Sequence, residues 1–268
     1  MIGIFDSGYG GLTILSQIRQ LLPQYDYLYL GDNARAPYGT RSFDVIYEYT
    51  LQAVNYLHQQ GCNLIILACN TASAKALRTI QQRNIDPNQL RVLGVIRPTV
   101  EVIPRRTQTK HIGVLATPGT VASESYVIEL LKQDPTLTIT QQACPMWVPL
   151  VENGEADAAG ADYFVEKYIT ELIRQDDSID TVILGCTHYP LLLPKIRTYM
   201  PDNIQIVSQG ELVANSLKDY LHRHPEMDAK CTKQGSCRYL TTEAADKFAE
   251  SASYFLNEQI NVERISLE

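Results

Sequence analysis

Leu64-Ile65-Ile66-Leu67-Ala68-Cys69-Asn70-Thr71 has a counterpart in the second half of the chain, Thr181-Val182-Ile183-Leu184-Gly185-Cys186-Thr187-His188. Each opens with a short apolar run containing β-branched residues, which predicts a strand buried on both faces of a parallel sheet. Each cysteine then falls on the turn that enters a helix, where free N–H groups and the helix dipole favour a thiolate. A single cysteine of this kind points to a nucleophile or a redox centre. A pair on repeated scaffolding points to two acid/base groups that face one substrate.

Outward from these stretches, strands and helices alternate. Residues 2–5, 27–30, 91–96, 112–115, 137–142, 204–207 and 239–240 read as further strands. Helices are predicted over 11–22, 42–60, from Asn70 to about Gln82, over 120–132, from Pro190, over 211–221 and over 243–257. Ile46, Tyr49, Ala53 and Tyr56 form one stripe on the helix over 42–60, and Ala161, Phe164, Val165, Tyr168 and Leu172 another on a later helix. Residues 144–155 read as irregular. This alternation predicts an α/β fold with mainly parallel sheets. No low-complexity linker interrupts it, so the halves should associate tightly. Gly3-Ile4-Phe5-Asp6-Ser7-Gly8 is echoed by Gly113-Val114-Leu115-Ala116-Thr117-Pro118, and a similar interval then leads to each cysteine. A duplicated unit of this kind places both cysteine loops at carboxyl ends of sheets, where open α/β folds bind ligands. Two such ends facing each other form one cleft with a thiol on either wall.

Composition narrows the partners. The chain has 268 residues, 45% of them apolar, and a formal net charge of −7. That charge argues against nucleic acid as the main partner, and leaves an anionic substrate dependent on local hydroxyl and amide donors. No apolar stretch approaches a membrane span, and no basic start or cleavage site opens the sequence, so a cytoplasmic location is expected. The start only a few residues before Asp6 leaves no room for an N-terminal activator site. None of the six cysteines forms a C-x-x-C pair. The spacing of Cys231 and Cys237 with His222 and His224 is poor for a metal, so none is expected. Cys62, Cys144, Cys231 and Cys237 read as ordinary thiols in a reducing compartment.

The segments F-D-S-G-Y-G-G-L-T at 5–13, P-Y-G at 37–39, A-C-N-T-A at 68–72, A-T-P-G-T-V-A-S at 116–123, C-P-M-W-V-P-L-V-E at 144–152 and G-C-T-H-Y-P at 185–190 resemble, in order, the glutamate racemases of the cofactor-independent aspartate/glutamate racemase family. The likeness runs from residue 2 to about 207 and continues faintly through Leu240-Thr241-Thr242. It implies two pseudo-symmetric α/β domains, residues 1–92 with 208–268 and residues 93–207, with the active site in the cleft between them. It implies interconversion of L- and D-glutamate without a cofactor, D-glutamate for peptidoglycan, and a homodimer. Three features depart from the family pattern: Met146-Trp147, Arg97 before Pro98, and residues 228–238, which look like an insertion. None touches the cysteine motifs, so they bear on surface contacts and regulation.

Racemisation removes the Cα proton and returns one from the opposite face, which needs one deprotonated and one protonated group. Cys69 and Cys186 suit both roles, because a thiol's pKa can be brought toward operating pH. Asp6 is placed to share a proton with Cys69 or to hold the substrate ammonium; a helix cap near Gly11 is its structural alternative. His188 is placed to tune Cys186, with Glu152 orienting the imidazole. Ser7, Asn70, Thr71, Thr117, Thr120 and Thr187, with amides near Tyr38 and Gly39, offer neutral donors for two carboxylates. Thr120 is the one expected instead to cap a helix. By resemblance, Asp6-Ser7, Tyr38-Gly39, Asn70-Thr71 and Thr187-His188 line the glutamate site. Three other readings stay open: a racemase for aspartate, a dithiol redox protein with a Cys69–Cys186 disulfide, and a binding protein without catalysis.

Overall fold

The computed structural model describes residues 1–256 and 258–267. Among them are ten strands: β1 (Ile2–Asp6), β2 (Tyr27–Gly31), β3 (Leu64–Leu67), β4 (Arg91–Gly94), β5 (His111–Ala116), β6 (Thr138–Ala143), β7 (Thr181–Gly185), β8 (Gln205–Val207), β9 (Cys237–Thr241) and β10 (Val262–Arg264). They form a six-stranded sheet in the order β10-β9-β2-β1-β3-β4 and a four-stranded sheet in the order β6-β5-β7-β8. Every strand pair in both sheets is parallel. The fold is thus α/β with parallel sheets, as the strand–helix alternation predicts.

The order β2-β1-β3-β4 in one sheet is the order β6-β5-β7-β8 in the other. Each sheet therefore steps from its first strand to one side and then crosses to the other, and this reversal opens a crevice at the carboxyl ends. Alternate residues of each strand feed opposite faces. Ile2, Ile4, Tyr27, Tyr29, Leu64 and Ile66 join one core, while Phe5, Leu28, Leu30, Ile65 and Leu67 join the other. In the second sheet Leu115, Val182 and Leu184 face one way, and Ile112, Val114, Ala116 and Ile183 the other. Burial on both faces explains why these strands are continuously apolar.

Several elements depart from their expected form. The strand expected over 91–96 ends at Gly94, and Ile96–Val100 is helical. Pro98 falls in the first turn of that helix, where its missing N–H costs no intrahelical bond. The helix expected over 120–132 is two, Pro118–Ala122 and Ser125–Gln133. Between them Glu124 is left-handed at φ 56°, and the Ser125 amide donates to the Ser123 hydroxyl instead of continuing a helical ladder. The helix from Asn70 is likewise split, into Asn70–Lys75 and Leu77–Arg83. On the helix Phe43–Gln59 the buried stripe is Ile46, Thr50, Ala53, Val54 and Leu57, with Tyr49 and Tyr56 only half-buried. Thr50 fits that stripe because its hydroxyl donates to the Ile46 carbonyl at 2.7 Å.

The stretch read as irregular contains a helix, Trp147–Glu152. Trp147 anchors it in the core rather than at the surface: it is fully buried, packs edge-on against Tyr189 at 4.7 Å, and donates to the Phe164 carbonyl at 3.2 Å. Residues 228–238 are tied to the first sheet, since Ser236 donates to Asp26 through both its amide and its hydroxyl, at 2.9 and 2.6 Å. Strand β10 is too short to show a sequence period. The last helix is Ala245–Leu256, and Asn257, its expected end, lies outside the described residues.

Candidate active site

The carboxyl ends of β1, β3, β5 and β7 build the site. Phe5 pairs with Leu67, and Ala116 with Gly185, so Ser7 continues beside Cys69 and Thr117 beside Cys186. The two halves thus present matching hydroxyl–thiol pairs. A cavity of about 80 Å³ lies among them. Ser7, Cys69, Asn70 and Thr71 line one part, and Thr117, Glu152, Cys186, Thr187 and His188 another, with Tyr38 and Gly39 over them. A larger cavity of about 940 Å³ between Leu77 and Ile128 contains none of the candidate residues.

Cys69 is the N-cap of the helix Asn70–Lys75: its sulfur accepts from the Ala72 amide at 3.4 Å and donates to the Ser7 hydroxyl at 3.4 Å. Burial nevertheless pushes this thiol up to about 12, helped by the charge of Asp6 and opposed by Ser7 and the Ala72 N–H. The thiolate that a helix N-terminus favours is outweighed here, because desolvation penalises the charged form. Cys69 rests as a thiol, ready to give a proton.

The opposite wall differs. His188 Nδ1 stands 3.8 Å from Cys186 Sγ, and His188 Nε2 is 3.0 Å from Glu152 Oε1. Burial alone would lower the histidine pKa, yet contact with Cys186 and Glu152 raises it well above its usual value. Glu152 reaches this position from the end of the helix that Trp147 anchors. The expected chain of thiol, imidazole and carboxylate is therefore formed. Cys69 and Cys186 are both free, so the disulfide of a dithiol redox protein is not formed.

Asp6 lies behind the wall rather than on the cavity surface. It is fully buried, and its Oδ2 accepts from the Gly8 amide at 3.0 Å while, among the described residues, Oδ1 has no hydrogen-bond partner. The N-cap position of the following helix is Gly10, without a side-chain bond, but the amide of Gly11 in its first turn pulls on the Asp6 carboxyl. Burial raises its pKa, against the pull of His188 and the neighbouring amides. Its field acts on Cys69 and His188 at once. Thr120 also stands behind the lining, and the capping roles are reversed: Thr117 is the cap, accepting from the Thr120 amide at 3.3 Å. Thr117 also meets Thr71 hydroxyl to hydroxyl at 3.0 Å, and Gly119 donates to the Gly39 carbonyl at 2.7 Å. These contacts join the two halves across the cleft.

Reasoning from sequence missed Cys144, Pro145, Val148 and Pro149, which also line the cavity. They lie in the same stretch as Glu152, and the four-residue step from Cys144 through Val148 to Glu152 is the available signal. It also missed the brace on Tyr38, whose hydroxyl donates to Asp32, itself held by Arg35 at 2.7 Å and Thr242 at 2.8 Å. Among the described residues no group of His, Cys, Asp and Glu is arranged to hold a metal ion.

Gly10 packs closely against the Cys186 wall. A Cβ there would lie 2.3 Å from Thr187 Oγ1 and 2.5 Å from His188 Nδ1. Gly10→Ala must displace His188 from Cys186, and is expected to lower kcat roughly tenfold or more, since small misplacements of reacting groups are costly. Steady-state rates on a variant with unchanged circular dichroism check this; wild-type turnover would show that the contact is slack.

A family model for Asp/Glu/hydantoin racemase matches residues 12–217. A glutamate racemase of Ruegeria sp. (strain TM1040) is 42% identical over 272 residues, covering 98% of each chain. The crystal structure of a glutamate racemase isoform of Bacillus anthracis superposes with a TM-score of 0.91 at 34% identity, over 100% of this chain and 97% of that one. That of a Francisella tularensis glutamate racemase, in complex with D-glutamate, gives 0.89 at 30% identity, over 100% and 97%. With its duplicated sheets, paired thiols and full-length likeness, the chain belongs to the Asp/Glu/hydantoin racemase family.

Proposed function

We propose that this protein interconverts L- and D-glutamate by a two-thiol mechanism in the cavity between its sheets. The observation that carries the reading is the pair of cysteines, at equivalent strand ends of the two sheets, lining one cavity. One sulfur, as thiolate, takes the Cα proton, leaving its electron pair on a planar carbanion. The other thiol delivers its proton to the opposite face, and the S–H bond broken on one side is replaced by one formed on the other. By resemblance to the family, Cys69 donates when L-glutamate is the substrate and Cys186 accepts, which agrees with burial holding Cys69 protonated and with His188 standing beside Cys186. The reverse reaction exchanges these roles. His188 and Glu152 orient and charge the Cys186 wall, and Asp6 supplies a buried negative charge behind Cys69.

The hydroxyls of Ser7, Thr71, Thr117 and Thr187, the Asn70 amide and the backbone at Tyr38-Gly39 give the two carboxylates neutral donors. Glutamate, rather than aspartate, is the substrate that the full-length relatives favour, and the Francisella protein binds D-glutamate. The acid and base groups are both supplied by the chain, so the proposed reaction uses no cofactor. Supply of D-glutamate to peptidoglycan, a cytoplasmic location and a homodimer belong to the same reading. Among the described residues no helix is long and apolar enough to cross a membrane. We take residues 1–92 with 208–268 as one unit and 93–207 as the other; the membership of the two sheets agrees with this except at the first boundary, where Leu93 and Gly94 still belong to β4 of the six-stranded sheet.

Incubation with L-glutamate in deuterated water tests the reading. D-Glutamate should appear with deuterium at Cα, and its formation should survive exhaustive chelation and the absence of pyridoxal phosphate. Failure of both inversion and exchange, or activity recovered only by adding metal, would contradict it.

A further inference from the structure

Behind Asn70 lies a closed ring of buried hydrogen bonds. Asn70 Nδ2 donates to Gln209 Oε1 at 2.6 Å, and the Tyr126 hydroxyl donates to Asn70 Oδ1 at 2.7 Å. Gln209 Nε2 completes the ring on the Tyr126 hydroxyl at 2.9 Å. The same nitrogen reaches the Thr99 hydroxyl at 3.0 Å and the Val95 carbonyl at 3.3 Å. Asn70, Tyr126, Thr99 and Gln209 are all buried. None of these bonds serves a helix or a strand ladder, and three of the four residues lie outside the cavity lining.

The ring has one consistent direction. The Val95 carbonyl only accepts, and the Thr99 hydroxyl has already given its hydrogen to that carbonyl at 2.8 Å. The Gln209 atom facing them must therefore be the NH₂ group, which leaves its oxygen toward Asn70. That oxygen requires the Asn70 NH₂ opposite it, and the Asn70 oxygen in turn requires the Tyr126 hydroxyl as donor. A flip of either amide would set two donors or two acceptors face to face, at a cost heightened by burial. The oxygen of Asn70 is thereby held toward the Tyr126 hydroxyl, and its remaining N–H is the donor the side chain can offer a ligand. The ring also ties together both passages between the sheets, since Val95 and Thr99 follow β4 and Gln209 follows β8.

We propose that Gln209 and Tyr126 are positioning residues that lock the Asn70 carboxamide as a hydrogen-bond donor toward a carboxylate of the bound amino acid. The inference rests on the racemase reading and adds the residues that make Asn70 specific for an anionic group. It also assigns a binding role to the place where the chain passes between its two halves.

A double-mutant cycle tests it, read as the KM of each glutamate enantiomer and as the affinity for D-glutamate by calorimetry. Gln209→Met and Tyr126→Phe should each raise KM roughly tenfold for both enantiomers, the scale seen when outer-shell partners are lost, with kcat nearly unchanged. In an Asn70→Ala background neither should raise KM further, because the group they orient is gone. Additive effects in that background, an unchanged KM, or a loss confined to kcat would each overturn the proposal. If Gln209→Met fails to fold, Tyr126→Phe alone carries the cycle, since it removes one hydroxyl and keeps the aromatic side chain. Racemisation by the wild type with additive effects sinks this inference only; no racemisation by the wild type sinks the functional reading and this inference with it.

Discussion

Cys69→Ser and Cys186→Ser are each expected to lower kcat/KM by on the order of 10³-fold, the middle of the range for loss of a positioned acid or base. An alcohol is far less acidic than a thiol, so serine can neither reside as the base nor exchange roles on reversal. The loss should be equal in both directions for each variant, because the ratio of kcat/KM values for two enantiomers is fixed at unity by their equal free energies in water. The fold should survive. Cys69 already caps its helix through the Ala72 amide, and serine is among the preferred residues at that position. The rates would be followed by circular dichroism of the amino acid, with thermal melts of each variant as the control for folding. A folded serine variant within tenfold of the wild-type rate would remove that cysteine from proton transfer, and with it the two-thiol mechanism.

Strand ends were legible in the sequence because burial on both faces writes an unbroken apolar run, and the turn that follows must expose whatever residue comes next. Hence order alone puts Cys69 and Cys186 at the ends of strands, while it is resemblance that assigns their neighbours Asn70, Thr71, Thr187 and His188 to the site. The segment around Glu152 was harder. Its helix has only six residues, too few for the step from Cys144 through Val148 to Glu152 to stand out as a period, and its position depends on Trp147 finding Tyr189 and Phe164 across a core that sequence does not display. The break after Ala122 was hidden for another reason. Ser123 and Glu124 are permitted inside helices, and it is the bond from the Ser125 amide to the Ser123 hydroxyl, beside a left-handed Glu124, that marks the break. The protonation of Cys69 is not legible in the sequence, because helix-end effects are local and readable whereas desolvation is set by the whole surrounding fold. Gln209 carries no signature at all. A single glutamine before a helix reads as surface until the two chain crossings are brought together around it.

His188→Asn should depress kcat for L-to-D conversion by about 10²-fold more than for D-to-L, and Asp6→Asn should favour the opposite direction, as expected when each general acid–base partner serves one wall. The assignment follows from geometry on one side and from family resemblance on the other. His188 contacts only Cys186 of the two thiols, and Cys186 is the base toward L-glutamate in the resemblance. Since the kcat/KM values must fall together, unequal kcat values require compensating changes in KM, so both parameters must be measured in both directions. The asymmetry should be smaller for Asp6→Asn. Its carboxyl is buried behind the wall and feels His188 as well as Cys69, so removing its charge disturbs both thiols. Glu152→Gln should resemble a weakened His188→Asn, because Glu152 acts on the thiol only through the imidazole that it holds at 3.0 Å. Equal kcat losses in both directions for His188→Asn and for Asp6→Asn would show that the two walls share their helpers, and that the unlike environments of the two cysteines do not divide the work of proton removal.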